Sequence, residues 1–561
     1  MARGTVSGRA MGSCARSALL AAAVVLSSAT CAVLAAPQGD RIASLPGFDG
    51  PLGSPMYSGY LHPTPHDHVH YFLAQSGGDG DANASVPLVL WLNGGPGASS
   101  LMGAFTELGP FIMASNTTLM KNPYAWNTVA DVLYLESPTG VGFSWCDAMK
   151  QGDVCKHTDT STAELNLASL RQFLDAFPEY KGRDFMIWGE SYAGVFIPTL
   201  ADLVYESDLP LNFLGFGVGD PCTDEKTQHL GDKLHFNVGF AYQSGFISHS
   251  LYSQLTGECM STAKGTGGAV SAPDMSSPDC RTAWRLYYMS SSNDGSLGPA
   301  SSALPQGGFI EEYNSYGPNN HDFMGMMRAY LNTPEVQDAL HVTGRSPFGT
   351  WRKHLDYTKQ HLACFYEEGV PPSSKPLFNY SMLPFYEKLV GRLRNVVVFN
   401  GDTDPCLQMR GTEAAVESLG MDKVWGGDWR PWFYTPEPVE MRVLEEKAPY
   451  WGQGLSHKAL GPQLAGYVKT YEQGLSFVTV HQSGHMVPQY KPQVALHLFR
   501  SLLHNRDLSP LLNMVELESG TDASFFGNST EDGYMTRWIK QAQSQKYAGG
   551  SNLSPSMERV L

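Results

Sequence analysis

Six short apolar runs, each stopped by glycine or a polar residue, constrain this 561-residue chain more than any other feature of its sequence. They are PLVLWLNG (87–94), VLYLESP (132–138), FMIWGES (185–191), FLGFGVG (213–219), NVVVFNGD (395–402) and LSFVTVHQSGH (475–485). Runs this short, rich in Val, Leu, Ile and Phe, read as strands buried on both faces. Between the second and third, Leu167, Leu170, Leu174 and Phe177 recur at helical spacing, and Pro178 stops that helix. Strands alternating with helices imply an α/β fold with a mostly parallel central sheet covered by helices. From about 221 to 330 the clean runs give way to Ser-, Gly- and Asn-rich stretches mixed with amphipathic pieces. These read as an inserted, largely helical cap over the sheet edge, where insertions shape access to a site. Beyond Asn505 the chain is polar and irregular, and no internal repeat of fixed period is evident. The expected organisation is a secretory signal (1–36), a core in two parts (37–220 and 331–505), the cap (221–330) and a polar, partly disordered tail (506–561).

The signal is read from Arg3, Arg9 and Arg16 followed by the apolar run Ala18 to Ala36, with cleavage near Ala35 or Ala36 and a mature start near Pro37. An uncleaved anchor is the competing reading, since the run approaches the length of a membrane span; its small residues favour cleavage. Cys14 and Cys31 leave with the signal, so seven cysteines remain: Cys146, Cys155, Cys222, Cys259, Cys280, Cys364 and Cys406. In an oxidising compartment the local pairs Cys146–Cys155 and Cys259–Cys280 are the expected bridges, with at least one thiol left over. Sequons at Asn83, Asn116, Asn379, Asn528 and Asn552 fit the same route. A net charge of −16, from 38 Lys+Arg against 54 Asp+Glu, disfavours nucleic acid and anionic membranes as partners.

GESYAG (189–194) ends the third run. A serine on a sharp strand-to-helix turn exposes a nucleophile, and small Ala193 and Gly194 let the backbone bend there. The pattern alone is equally an ordinary turn with a capping serine. Serine needs a base, and His485 follows the sixth run, with His481 a rival by proximity. The base needs an orienting acid, and NGDTDP offers Asp404 or Asp402, between which spacing does not choose. The order Ser191, Asp404, His485, each after a strand, is that of α/β-hydrolases. WLNGGPG supplies a glycine-rich turn that can aim backbone N–H groups at a developing oxyanion. HDHVH (66–70) places three histidines on one face of a strand, a metal site or, as the favoured reading, a solvated strand. The chemistry needs no metal and no cofactor.

WLNGGPGASS, ELGP, ESPTGVGFSW, GESYAG, GDTDP and GHMVP, in this order and spacing, resemble the serine carboxypeptidase family from about Arg41 to about Leu503. The resemblance implies the α/β-hydrolase fold, Ser191 as nucleophile, His485 as base and Asp404 as its orienting acid. It also implies an oxyanion hole from the N–H groups of Gly95 and Tyr192. Asn93 and Glu190 would grip the substrate's C-terminal carboxylate, Glu107 would support Glu190, and Trp91 and Gly94 would line that pocket. Met486 and Cys406 would stand near the pocket. Two close carboxyls in a desolvated site keep one proton, so Glu190 would donate to the substrate carboxylate rather than repel it, favouring acidic pH. Ala98 stands where the family usually has a cysteine, so the disulfide that commonly braces the oxyanion loop is lost and Cys364 is its orphaned partner. The activity expected is release of C-terminal residues from peptides and proteins through an acyl-enzyme. Acyl transfer on the same scaffold and protection of a partner glycosidase are the alternatives. The expected setting is the secretory pathway, ending in an acidic lysosome- or vacuole-like compartment or outside the cell. No nucleic acid and no stable membrane association after signal cleavage are expected, and a homodimer is the candidate assembly.

Overall fold

The computed structural model describes residues 36–77, 86–224, 227–228, 233–262, 271–291, 314–316, 323–351, 381–436, 461–528 and 532–544. Ahead of the first crossover helix run β1 (Met56–Leu61), β2 (Asp67–Ala74), β3 (Leu88–Leu92), β4 (Phe111–Ser115), β5 (Thr118–Lys121), β6 (Asp131–Leu135) and β7 (Trp145–Cys146). After it come β8 (Asp184–Glu190), β9 (Asn212–Gly219), β10 (Met260–Thr262), β11 (Ser271–Pro273), β12 (Asn395–Gly401), β13 (Arg430–Tyr434), β14 (Gln463–Thr470) and β15 (Leu475–Val480). The main sheet has the order β1-β2-β6-β3-β8-β9-β12-β15-β14-β13, with β7 pairing β2 to the side. The six apolar runs are its centre: β6, β3, β8, β9, β12 and β15 are neighbours and all parallel. Antiparallel strands flank them on both sides. This is the α/β-hydrolase fold.

The central strands bury both faces, so apolar residues alternate between two cores rather than between core and water. On β3, Val89 and Trp91 join one core and Leu88, Leu90 and Leu92 the other. The first core centres on Trp126, whose ring stacks on Phe499 with centroids 4.0 Å apart and meets Trp91 and Trp188 edge-on at 5.4 Å each. The second packs against α1 (Asp159–Ala176) and α2 (Ala193–Glu206) through Leu170, Phe173, Leu174, Val195, Ile197 and Leu200. Helix α1 starts where Thr158 and Ser161 cap each other's backbone N–H, and it stops at Phe177 before Pro178. Because the parallel strands run the same way, the loops after β3, β8, β9, β12 and β15 all open at one edge of the sheet.

Between β9 and β12 the chain leaves the sheet. The helices Lys233–Gln243, His249–Gly257 and Pro278–Ser291 form, with the β10–β11 hairpin, a unit with its own small core of Val238, Ile247, Leu255, Trp284 and Tyr287. Cys259–Cys280 crosses that core, and the Trp284 indole N–H donates to Cys259 O at 2.8 Å. The other expected bridge, Cys146–Cys155, is also formed, and Cys222 and Cys406 are outside disulfides. Asn116 and Asn528 are exposed. The signal, Cys364, Asn83, Asn379 and Asn552 lie outside the described residues.

Two expectations need correction. The segment after Asn505 is not an irregular tail as far as Ser544. It carries the helices Met514–Ser519, Asp522–Phe526 and Tyr534–Ser544, and Tyr534, Trp538 and Ala542 are buried among Phe433, Leu512, Leu517 and Phe525. Those three buried residues recur every fourth position, the mark of one helix face. Nor is HDHVH a solvated strand. His66 is exposed and bonds Asp147 at 3.0 Å, His68 stacks on Trp145 with ring centroids 3.6 Å apart, and His70 is fully buried 2.9 Å from Glu136. His66 and His68 lie at Asp147, 3.0 and 3.8 Å away, while His70 turns to Glu136.

The Cys259–Cys280 bridge closes a loop of 21 residues, which constrains the unfolded cap by about 3 kcal/mol. Removing it with Cys259→Ser/Cys280→Ser should open the cap to proteolysis near 249–291 while the sheet stays resistant. Unchanged cleavage of the cap under native conditions would show that its small core suffices alone.

Candidate active site

Ser191 follows β8 directly and has φ 63°, a left-handed conformation that a non-glycine residue adopts only under constraint. The constraint is visible. Ser191 N donates to Gly219 O at 2.9 Å, and Ser191 O accepts from Gly194 N at 2.9 Å and from Cys222 N at 3.0 Å. The turn is thus tied to the segment after β9. Glycine is required on both sides of it: a Cβ on Gly189 would stand 2.1 Å from Leu92 O, and one on Gly94 would stand 2.3 Å from Tyr192 N and 2.7 Å from Glu190 O. The loop after β3 therefore lies against the serine turn, with exposed Gly95 (φ 103°) next in line.

Asp404, past the end of β12, is buried and accepts from Cys406 N at 2.7 Å, from Leu407 N at 3.2 Å and from His485 Nδ1 at 2.8 Å. His485 comes five residues past β15 and is buried too. The rivals pair with each other instead: His481 Nδ1 lies 2.7 Å from Asp402 Oδ2, partly exposed. Half-buried Cys406 thus caps the acid through its backbone. Met486, half-buried after His485, accepts from Gln489 N and Tyr490 N at 3.0 Å each.

Beside the serine, Asn93 uses all of its amide capacity within the protein. Its Oδ1 accepts from the Trp91 indole at 2.8 Å and from Gly103 N at 3.0 Å, which fixes the amide's orientation. Its Nδ2 donates to Glu107 Oε1 at 3.0 Å and to Glu190 Oε1 at 2.9 Å. Glu107 and Glu190 are both buried, and the second oxygen of each has no other partner. Burial, then the charge of Glu107 and a hydrogen bond to it, push Glu190 well above the ordinary carboxylate range. Burial also raises Glu107, against the lowering effect of its bonds to Asn93 and Glu190. The two acids meet, and their closeness out of water favours a proton retained by the pair.

The glycine-rich loop is braced without a disulfide at Ala98. Ala98 N donates to Gly94 O at 3.0 Å, Asn93 N to Ser100 Oγ at 3.2 Å, and the Ser99 hydroxyl to Glu136 Oε1. Glu136 also accepts from Phe143 N at 2.9 Å and the Trp351 indole at 2.8 Å. Sequence reading does not single out Glu136, nor Asp159, which accepts from the Tyr192 hydroxyl at 3.1 Å and which burial pushes up to about 7. It also passes over Asp220, whose carboxyl lies within 4.8 Å of both Asp404 and His485. A signal for Asp220 exists: the loops after β9 and β12 both read Asp-Pro-Cys, at 220–222 and 404–406.

Comparison with known proteins fits this geometry. The family model described as serine carboxypeptidase matches residues 46–505. Serine carboxypeptidase-like 26 of Arabidopsis thaliana is 31% identical, the match covering 84% of this chain and 94% of the relative. Lysosomal protective protein of Mus musculus is 32% identical over the same shares. Among solved structures, a prohormone-processing carboxypeptidase from Saccharomyces cerevisiae superposes with a TM-score of 0.60 at 22% identity, covering 84% of this chain and 97% of that one, a likeness of fold.

With Glu190 held well above the ordinary carboxylate range, the fold favours a proton there that the unfolded chain loses once pH passes the ordinary glutamate value. Stability contributed there falls as pH rises from that value toward the raised one. Glu190→Gln keeps a donor toward Glu107 and an acceptor toward Asn93 without needing the proton. Its melting temperature relative to wild type should therefore rise by more at about pH 7.5 than at about pH 4.5. Equal shifts at both would mean that Glu190 is ionised in the fold.

Proposed function

The chain belongs to the serine carboxypeptidase family, and from that premise we propose that it releases single residues from the free C-termini of peptides and proteins, most effectively at acidic pH. The observation that carries this reading is Glu190, the residue before Ser191, buried against Glu107 and bonded to Asn93. An acid that keeps its proton is a donor, and a donor one residue from the nucleophile suits a substrate whose scissile bond lies next to a free carboxylate.

In this reading Ser191 Oγ attacks the last peptide carbonyl while His485 Nε2 takes the hydroxyl proton. Asp404, already bonded to Nδ1 at 2.8 Å, holds the imidazole in the needed tautomer and stabilises its cation. The N–H groups of Gly95 and Tyr192 receive the developing oxyanion. His485 then protonates the departing amino group, the C–N bond breaks, and the acyl-enzyme on Ser191 remains. Water repeats the cycle and frees the shortened peptide. Both Asn93 donors are committed to the paired acids, so Asn93 grips the carboxylate only by yielding one of those bonds, and it otherwise serves by orienting Glu190. Trp91 and Gly94 shape the same pocket, and Met486 and Cys406 stand at its margin.

A site that depends on a retained proton suits an acidic lysosome- or vacuole-like compartment of the secretory pathway, or an acidic exterior. Among the described residues no helix is long and apolar enough to cross a membrane.

A blocked peptide with a free C-terminus should be cleaved at least ~100-fold faster, in kcat/KM, than its C-terminal amide near pH 5; equal rates would overturn the exopeptidase reading. The Michaelis constant for the acid should climb as pH rises from about 4.5 to 7.5, since ionised Glu190 repels the substrate. Glu190→Gln, a donor at every pH, should flatten that climb. An identical climb in the variant would place the titration elsewhere.

A further inference from the structure

Asp220 is a buried carboxyl that the mechanism above does not use. It is fully buried one residue past β9, with φ 42°, so the loop turns sharply there. Its Oδ1 is satisfied, accepting from Asn400 Nδ2 at 2.8 Å and from Gly401 N at 2.9 Å. Its Oδ2 has no partner of the ordinary kind. What it does have nearby is Asp404 and His485, all three side chains lying within 4.8 Å of one another.

Two carboxylates cannot stand side by side out of water without one of them holding a proton. Which one holds it follows from the bonds. Asp404 accepts two backbone N–H bonds and faces the imidazole that becomes a cation in catalysis, so its ionised form is the better stabilised. Asp220 has one backbone N–H, one neutral side-chain amide and an orphaned oxygen. We propose that Asp220 is a positioning residue for the triad: it keeps a proton on Oδ2 and donates it to Asp404, so that the acid behind His485 is half of a proton-sharing pair. This rests on the reading of Ser191, His485 and Asp404 as the triad. The hydroxyl of Asp220 adds a donor to the Asp404 carboxylate beside its backbone caps and adds no charge of its own. Loss of that proton places a second anion behind the imidazole and disturbs its orientation.

The groups facing Asp220 are Asp404 from the loop after β12, His485 from the loop after β15 and, at longer range, Glu190 from the end of β8. Burial first, and then the Asp404 charge and the bond to it, hold Asp220 well above the usual carboxylate range. The chain would then hold two protonated acid pairs with separable effects: Glu190 governs binding of a carboxylate, and Asp220 governs the reactivity of Ser191.

An uncharged phosphofluoridate separates them, because it forms a Ser191 Oγ–P bond with loss of fluoride and presents no carboxylate to Glu190. The labelling rate of wild type should fall on the alkaline side. In Asp220→Asn, which keeps the Asn400 and Gly401 bonds and donates at every pH, that fall should move up by about one pH unit or more. Asp220→Ala should label ~10-fold or more slowly across the range. Infrared spectra at about pH 6 supply a readout independent of activity and of the alanine variant's stability: a protonated-carboxyl C=O band present in wild type should be missing from Asp220→Asn. A labelling profile of Asp220→Asn that superimposes on wild type, or spectra in which no such band is lost, overturns the proposal. If wild-type Ser191 takes no label, the triad reading fails, and the infrared band still decides whether Asp220 holds a proton.

Discussion

The site depends on a single neutral side chain. Asn93 receives two N–H donors on its oxygen and sends both of its own hydrogens to acids, so one amide joins the end of β3, the turn that carries Glu107 and the end of β8. Each of those groups is buried, and each would be costly to leave unmet. An amide suits this position because it is donor and acceptor at once and does not titrate. A carboxylate there would add a third acid to the pair, and a leucine would take a hydrogen-bond partner from each acid and from the Trp91 indole.

Around that amide the protein takes an unusual number of acids out of water at one edge of the sheet: Glu107, Glu190, Asp220, Asp404 and, farther back, Glu136. Their burial is tolerable because each is handled differently. Glu136 gathers donors from Ser99, Phe143 and Trp351 with His70 alongside, and so fastens the glycine-rich loop. Asp404 is capped by backbone and faces a histidine. Glu190 is pushed well above the ordinary carboxylate range by burial and by Glu107 beside it. Carboxyls of one chemical kind therefore stand in different environments within a small volume, each met by its own set of partners.

Much of this was legible in the residues. Period and punctuation gave the six parallel strands, because a strand buried on both faces leaves an uninterrupted apolar run that surface segments lack. Motif order pointed to Ser191 and His485; spacing left Asp404 and Asp402 open and the family resemblance favoured Asp404, while the structure pairs Asp404 with His485 and Asp402 with His481. The C-terminal helix was hidden because Tyr534, Trp538 and Ala542 lie among polar residues, where a narrow buried face is diluted in composition. His70 escaped for the opposite reason: alternation places it correctly on a strand but does not say that the strand's face is covered. Asp220 required knowing that β9 and β12 are neighbours, a fact of topology that no local window contains.

Among the described residues the two disulfides lie in the helical insertion and beside β7, while the turn that presents Gly95 is held by hydrogen bonds to Ser99, Ser100 and Gly94. The shape of that turn therefore rests on hydrogen bonds and not on a bridge among the described residues. Reduction of Cys146–Cys155 and Cys259–Cys280 would release the periphery and leave the hydrogen bonds of the glycine-rich turn in place.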